Sequence, residues 1–301
     1  MFAVTLIAAA DGPGLDPALA DALRNAWGGG TVSWLCPDIA AEFPVAQRPA
    51  NLDDVRRDLA DRRVDIAAQP ATGRRKRLLL ADMDSTMIGQ ECIDELADVA
   101  GVGAQVAAIT AQAMDGALDF EGALRARVAL LAGLDAGAID RVWRDRITFT
   151  PGGRTLVATM RAHGATAVLV SGGFTAFTAR VAAALGFDRH RANGLPVADG
   201  CITGEVAEPI LGRAAKVAAL EELTAELGLG DADVLAVGDG ANDLGMLLRA
   251  GTGVALHAKP SVAAQAPIRI DHGDLTALLY LQGYSSAEFV DEVPGPVPGR
   301  A

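Results

Sequence analysis

The feature that most constrains this chain is the stretch Leu78–Thr86, which reads Leu-Leu-Leu-Ala-Asp-Met-Asp-Ser-Thr. An apolar run with no polar interruption has no face to turn toward water, so it predicts a buried strand of a parallel sheet. The run stops at Asp82. In open α/β sheets ligands bind beyond the carboxyl ends of the strands, so Asp82 stands where chemistry is expected. Asp84 follows two residues later, and extended backbone would send both side chains to the same side. Two close carboxylates raise each other's pKa unless a cation intervenes. The pair therefore reads as nucleophile plus acid/base, or as a hard-cation site. Two Asp residues in a turn are the plainer alternative, and Ser85-Thr86 tips the balance only a little by adding donors for an anion.

The rest of the chain supplies a setting for that strand. Residues 1–70 alternate as strand, helix, strand, strand, helix, strand, the split βαβ order of a ferredoxin-like unit. Gln69–Arg75, with Pro70 and Gly73, reads as a linker. About residues 89–147 form a purely helical insert; Phe120, Leu124, Val128 and Leu131 recur at helical spacing. An insert between the first two sheet strands predicts a cap over the catalytic face, which on closing excludes water. The α/β alternation then resumes to about residue 283, with a β-hairpin expected in 192–208 around Asp199-Gly200. The expected fold class is thus α/β, a doubly wound parallel sheet with an inserted helical-bundle cap, preceded by a small α+β domain. The expected boundaries are 1–72, 76–285 and a disordered tail over 286–301.

The chain has 301 residues and a formal net charge of −12, which argues against a general nucleic-acid binder. The basic run Arg74–Arg77 is the exception, and a solvated strand entrance explains it better than a nucleic-acid patch. Three scattered cysteines without a Cys-x-x-Cys fit free thiols in a reducing compartment. The apolar start lacks a basic n-region, and no uncharged apolar run reaches eighteen residues, so neither a signal peptide nor a spanning helix is expected. A cytoplasmic address follows.

Several other residues attract notice singly. Asp239 ends the strand Leu235-Ala-Val-Gly238, the position Asp82 holds in its own strand; it could equally be a turn residue. Asn242 could cap the next helix. Ser171-Gly172-Gly173 follows a buried strand and precedes a helix, so its amides and hydroxyl can hold an anion. Lys216 lies on the apolar stripe of its helix, in the first turn, where it opposes the helix dipole. An anion partner would explain it, and so would a snorkelling lysine. Arg127 borders the apolar stripe of a cap helix while Arg125 faces outward, and an inward Arg can clamp a carboxylate. Glu91 opens the first cap helix, where an acid is favoured by the dipole or could bind an ammonium. His163, His190, His257 and His272 show no metal spacing.

Taken together, Asp82-Met-Asp-Ser-Thr, Ser171-Gly172-Gly173, Lys216 and Gly238-Asp239-Gly240-Ala241-Asn242-Asp243 resemble, in order, the motifs of the haloacid-dehalogenase-like (HAD) phosphatases. Glu91-Cys-Ile-Asp-Glu-Leu-Ala, Asp119-Phe-Glu-Gly-Ala-Leu-Arg-Ala-Arg-Val-Ala-Leu-Leu and Val170-Ser-Gly-Gly-Phe-Thr are closer still to the phosphoserine phosphatase family within it. The resemblance covers about residues 76–283. It implies a HAD-like fold, Asp82 as a nucleophile forming an aspartyl-phosphate, and Asp84 as acid and then base. It also implies Mg²⁺ held by Asp82, the Asp84 carbonyl and Asp239, with Asp243 in support. Ser171, Gly172, Lys216 and Asn242 become phosphate ligands, Glu91 and Arg127 readers of the amino-acid end, and Met114 and Phe120 apolar contacts. Residues 1–70 look like a degenerate regulatory domain of the ACT kind, and with no ligand motif in it a structural or homodimerising role stands beside regulation. Every motif lies after Gly73, so this unit is expected to stand outside the catalytic machinery. The implied activity is hydrolysis of phosphoserine, a small-molecule substrate, as the last step of serine biosynthesis. Its rivals are a phosphatase or phosphotransferase for phosphothreonine or phosphohomoserine, and a serine-sensing or scaffold protein. No nucleic acid or membrane is expected as a partner.

Overall fold

The computed structural model describes residues 1–114 and 117–291, apart from the side chain of Met114. Residues 1–70 form β1 (Phe2–Ala8), α1 (Pro17–Ala26), β2 (Ser33–Cys36), β3 (Ala40–Val45), α2 (Leu52–Leu59) and β4 (Val64–Pro70). The sheet order β2-β3-β1-β4, antiparallel throughout, is that of a ferredoxin-like unit. Asp16 caps α1 by accepting from the Ala18 amide at 2.8 Å, and Pro17 opens the helix where its missing N–H costs nothing.

The second sheet contains β5 (Leu78–Ala81), β6 (Thr166–Phe174), β7 (Arg189–Asn193), β10 (Val234–Gly238), β11 (Thr252–Leu256) and β12 (Ile268–Ile270), while β8 (Val197–Ala198) and β9 (Cys201–Ile202) pair apart from it. Its order is β12-β11-β10-β5-β6-β7 and every pairing is parallel. The apolar run is therefore a central strand, flanked by β10 and β6, and all four of its residues are buried. Its alternating side chains feed two cores. Leu79 and Ala81 join a large cluster with the cap. Leu78 and Leu80 join another with Leu220, Leu223 and Leu247 of α9 (Arg213–Leu227) and α10 (Leu244–Arg249).

Between β5 and β6 come four cap helices, α3 (Cys92–Ala100), α4 (Gly103–Met114), α5 (Phe120–Ala129) and α6 (Gly137–Asp145), and then α7 (Gly153–Ala162). α8 (Thr175–Leu185) joins β6 to β7, and the short α11 (Pro260–Ala263) and α12 (Ala277–Leu281) complete the α-helices among the described residues. The hairpin expected in 192–208 is the β8–β9 pair, with Asp199 and Gly200 both at positive φ. It ties down the link between α5 and α6: the Gly133 amide donates to the Ile202 carbonyl at 2.9 Å, and the Ile202 amide donates to the Leu134 carbonyl at 2.8 Å. The polar strand β7 was not anticipated. It is an edge strand, whose Arg189 and Arg191 pair with Glu226 and Glu222 of α9.

Two expectations need correction. The basic run does not simply meet solvent: Arg74 makes a two-pronged bond to Glu42 of β3 at 2.6 and 3.0 Å. Lys76 donates to the Gly73 and Ala232 carbonyls. Arg75 pairs with Glu288 at 2.7 Å and lies 4.0 Å from the centre of the Tyr284 ring. The tail expected from 286 does not begin there. Ser285 and Glu288 form a capping box, Phe289 stacks 5.2 Å from Tyr280, and Asp291 accepts from Thr155 at 2.7 Å. One aromatic contact and several hydrogen bonds hold this segment against the body. Residues 292–301 lie outside the described set. Among the described residues no helix is long and apolar enough to cross a membrane.

Candidate active site

The turn after β5 is built by its own backbone. The Met83 carbonyl accepts from the amides of Thr86, Met87 and Ile88 at 2.9–3.3 Å, and Ser85 takes a left-handed φ of 55°. Left-handed backbone is costly for a side chain and gathers at functional sites. The turn gives the two acids different surroundings. Asp84 accepts from the Cys92 amide at the start of α3 (2.9 Å) and from Ser171 Oγ (3.2 Å). Burial, and then the charge of Glu91, pushes its carboxyl up to about 6 against the pull of those hydrogen bonds. Asp82 accepts from the Met83 amide at 2.8 Å and meets the Lys216 ammonium at 2.7 Å. Burial and the neighbouring Asp243 hold it well above the usual carboxylate range, although Lys216 pulls the other way.

Lys216 does not snorkel. Its side chain is 3 % exposed and runs inward from α9 to Asp82 and Asp243. Burial acts to lower this ammonium, but the two carboxylates outweigh it and hold it raised. Asp243 spends its other oxygen on the Gly240 amide at 2.9 Å. Its carboxyl fills the space where a Cβ on Gly238 would stand, so the glycine ending β10 is a requirement of volume. Asp239 accepts from Thr86 Oγ1 at 2.9 Å, and burial lifts it to about 6 against that bond. Carboxylate oxygens of Asp82, Asp239 and Asp243 lie within 4.8 Å of one another.

β6 carries the third part. It runs through Ser171-Gly172-Gly173 to Phe174, so the triplet belongs to the strand it was expected to follow. Ser171 Oγ accepts from the Gly173 amide at 2.8 Å while donating to Asp84. A Cβ at Gly173 would collide with the Asp84 carboxyl, so this glycine permits the approach. The Asn193 amide, buried at the end of β7, clamps the loop: it donates to the Gly172 carbonyl at 2.8 Å and accepts from the Leu211 amide at 2.6 Å. Asn193 was missed because no motif marks it; a lone Asn closing a polar strand was the only signal. Asn242 lines the cavity and does not cap α10, which begins at Leu244.

A cavity of about 600 Å³ joins these groups to the cap. Glu91, Leu124, Phe120 and Arg127 form its cap side, and Asp82, Asp84, Ser171, Gly172, Asp239 and Asn242 its floor. Glu91 accepts from Ser85 Oγ at 2.7 Å. Arg127 donates to the Ala123 carbonyl at 3.3 Å and makes no ion pair among the described residues. Burial lowers it, against Asp94, Glu91 and Asp84. Arg125 faces outward to Glu208. Met114 ends α4, but its side chain lies outside the described residues. Lys216 and Asp243 sit beneath the floor. Arg213, Lys259 and Ser261 also line the wall and were not foreseen: Arg213 opens α9, and Lys259 and Ser261 lie at the start of the short α11, where no motif marks them. Three histidines have partners of their own: His163 meets the Thr159 carbonyl, His190 meets Thr178 and His257 meets the Gly273 carbonyl.

The sequence profile of the haloacid dehalogenase-like hydrolases matches residues 79–248. A phosphoserine phosphatase of Streptomyces coelicolor is 44% identical across 79% of this chain, which spans only 59% of that protein's length. One from a Polaromonas species is 45% identical across 68% of this chain and 89% of its own. A solved phospho-aspartyl intermediate analogue of phosphoserine phosphatase superposes with a TM-score of 0.64 at 40% identity, covering 68% of this chain and 98% of that one. With the parallel sheet, the strand-end acids and the helical cap already described, these likenesses establish that the chain belongs to the haloacid dehalogenase-like hydrolases.

Proposed function

We propose that this protein is a Mg²⁺-dependent phosphoserine phosphatase of the cytoplasm, releasing serine and phosphate in the last step of serine biosynthesis. The observation that carries the reading is the division of labour on the cavity floor. Asp82 meets a buried ammonium, whereas Asp84, pushed up to about 6, can carry a proton near neutral pH. Above them, Glu91 and Arg127 present an acid and a cation suited to an ammonium and a carboxylate.

In this mechanism an Asp82 carboxylate oxygen attacks phosphorus and the bond from phosphorus to the serine oxygen breaks. Asp84 gives its proton to the departing alkoxide. It then takes a proton from the water that attacks the aspartyl-phosphate, and that bond breaks to regenerate Asp82. Ser171 Oγ, the Gly172 amide, Asn242 and Lys216 hold the phosphoryl oxygens. The chemistry of the acid cluster fits a hard divalent cation, because buried like charges lifted above their usual range are what such an ion relieves. Asp82, Asp239 and the Asp84 carbonyl would hold it, with Asp243 in support. Bound Mg²⁺ supplies positive charge against the phosphate. Pairing of two copies through the N-terminal sheet belongs to the same proposal; β2 is an edge strand and its Trp34 is 38% exposed.

The test is a turnover panel of phosphoserine, phosphothreonine and phosphohomoserine with Mg²⁺. Phosphoserine is expected to show the highest kcat/KM. A preference for either larger substrate would reassign the specificity, and no phosphate release from any of them would refute a phosphatase for amino-acid phosphates.

A further inference from the structure

The N-terminal unit carries no catalytic motif, yet one of its carboxylates is buried in the body of the catalytic domain. Asp65 is the only charged residue in β4, a strand otherwise of Val, Ile, Ala, Gln and Pro, and it is 3 % exposed. It accepts three successive backbone amides just past the end of β12: Asp271 at 2.8 Å, His272 at 3.1 Å and Gly273 at 2.7 Å. A carboxylate is acceptor-only and can satisfy such a cluster, which no other side chain here does.

The Gly273 carbonyl in turn meets His257 Nε2 at 2.8 Å, and the His257 amide donates to the Ile270 carbonyl at 2.8 Å. His257 begins the turn after β11, with a left-handed φ of 45°, and that turn places Lys259 and Ser261 on the cavity wall. The link is continuous, from a strand of the N-terminal sheet through one loop and one imidazole to a cation facing the catalytic cavity. Lys216 shares its charge with two acids, and Lys259 adds a cation to the cavity wall in a chain of net charge −12.

From this geometry we infer that Asp65 is a positioning residue of the catalytic cavity, holding through the 271–273 loop and His257 the turn that sets Lys259 on its wall. The effect on Lys259 rests on the phosphatase reading; the tether itself does not. The N-terminal unit thereby helps to complete the site, contrary to the expectation that it stands outside the machinery.

The test compares Asp65→Asn, His257→Asn, Lys259→Ala and the double variant Asp65→Asn/Lys259→Ala in the full chain. An amide at position 65 turns donors toward donors. Asp65→Asn and Lys259→Ala should each raise KM for phosphoserine about 3- to 10-fold, with kcat kept within about twofold. General damage to folding would instead lower kcat. The double variant should be no worse than Lys259→Ala alone, because both act on one turn. Glu42→Gln, which cuts the separate bond to Arg74, should leave KM unchanged. Amide hydrogen exchange over residues 257–263 should quicken in Asp65→Asn, a readout that needs no substrate and decides the tether even if phosphoserine is not turned over. If Asp65→Asn fails to fold, His257→Asn breaks the same link from its exposed end. Unchanged exchange, additive losses in KM, or an equal KM rise in Glu42→Gln would overturn the inference.

Discussion

Removing the charge of Lys216 while keeping its length, as in Lys216→Met, is the most telling single perturbation of the site. The ammonium lies between Asp82 and Asp243, with all three side chains at most 7% exposed, so water cannot replace it. Breaking a buried pair from one side costs roughly 3–5 kcal/mol. For a folding unit of about 200 residues that corresponds to a fall in Tm of roughly 6–20 °C at neutral pH in metal-free protein. The loss should depend on pH in a defined direction. Asp82 already sits above its ordinary range, and without the ammonium it rises further. The folded state then binds protons that the unfolded state releases, so stability falls as pH rises through the folded value. The deficit against wild type should therefore be smallest at the acid end of the range and grow as pH rises. Mg²⁺ should shrink it at neutral pH, because a divalent cation replaces the missing counter-charge. Inhibition by inorganic phosphate should weaken in parallel. The assay is thermal melting of both proteins from pH 4.5 to 8, with and without Mg²⁺. A deficit of the same size at every pH, untouched by Mg²⁺, would mean that Lys216 contributes packing alone.

Three further outcomes are expected. Asp82→Asn should fold and lose turnover by about 10⁴ or more, the scale of loss on removing an enzyme's nucleophile; near-normal turnover in a steady-state assay would refute the covalent route. Arg127→Ala should lower kcat/KM for phosphoserine by roughly 30-fold to several thousand-fold, since an unpaired buried charge costs roughly 2–5 kcal/mol. An aryl phosphate, which has no carboxylate, should lose far less, and equal losses would make Arg127 a structural residue of the cap. Calorimetric Mg²⁺ affinity should rise with pH through about 6, because Asp239 must shed a proton to bind the ion; an affinity flat across pH 5–7 would remove Asp239 from the ligand set.

What the sequence disclosed follows the strength of its local signals. Asp82 was legible because an apolar strand ends there, and Lys216 because a charge on an apolar helical stripe demands an explanation. The snorkelling alternative fell only when the fold placed two carboxylates at its tip. β7 was illegible because Arg-His-Arg-Ala-Asn has no apolar period, and an edge strand needs none. Ser171-Gly172-Gly173 was placed after its strand because Gly and Ser usually punctuate chains, yet the strand continues through it. Asn193 and Asp65 act on partners far along the chain, and such contacts leave no trace in a window of a few residues. Asp65 left one clue, a lone carboxylate in an otherwise apolar strand.

The bond between Arg75 and Glu288 brings together the first and last parts of the catalytic unit. That unit therefore enters and leaves at one place on its surface, and its backbone forms a nearly closed loop. Units built this way tolerate circular permutation and accept additions at either terminus. The ferredoxin-like unit sits at that junction, with Glu42 bonded to Arg74 on one side of the seam. Fused instead behind residue 291, it would begin from almost the same point and could reach the same docking face.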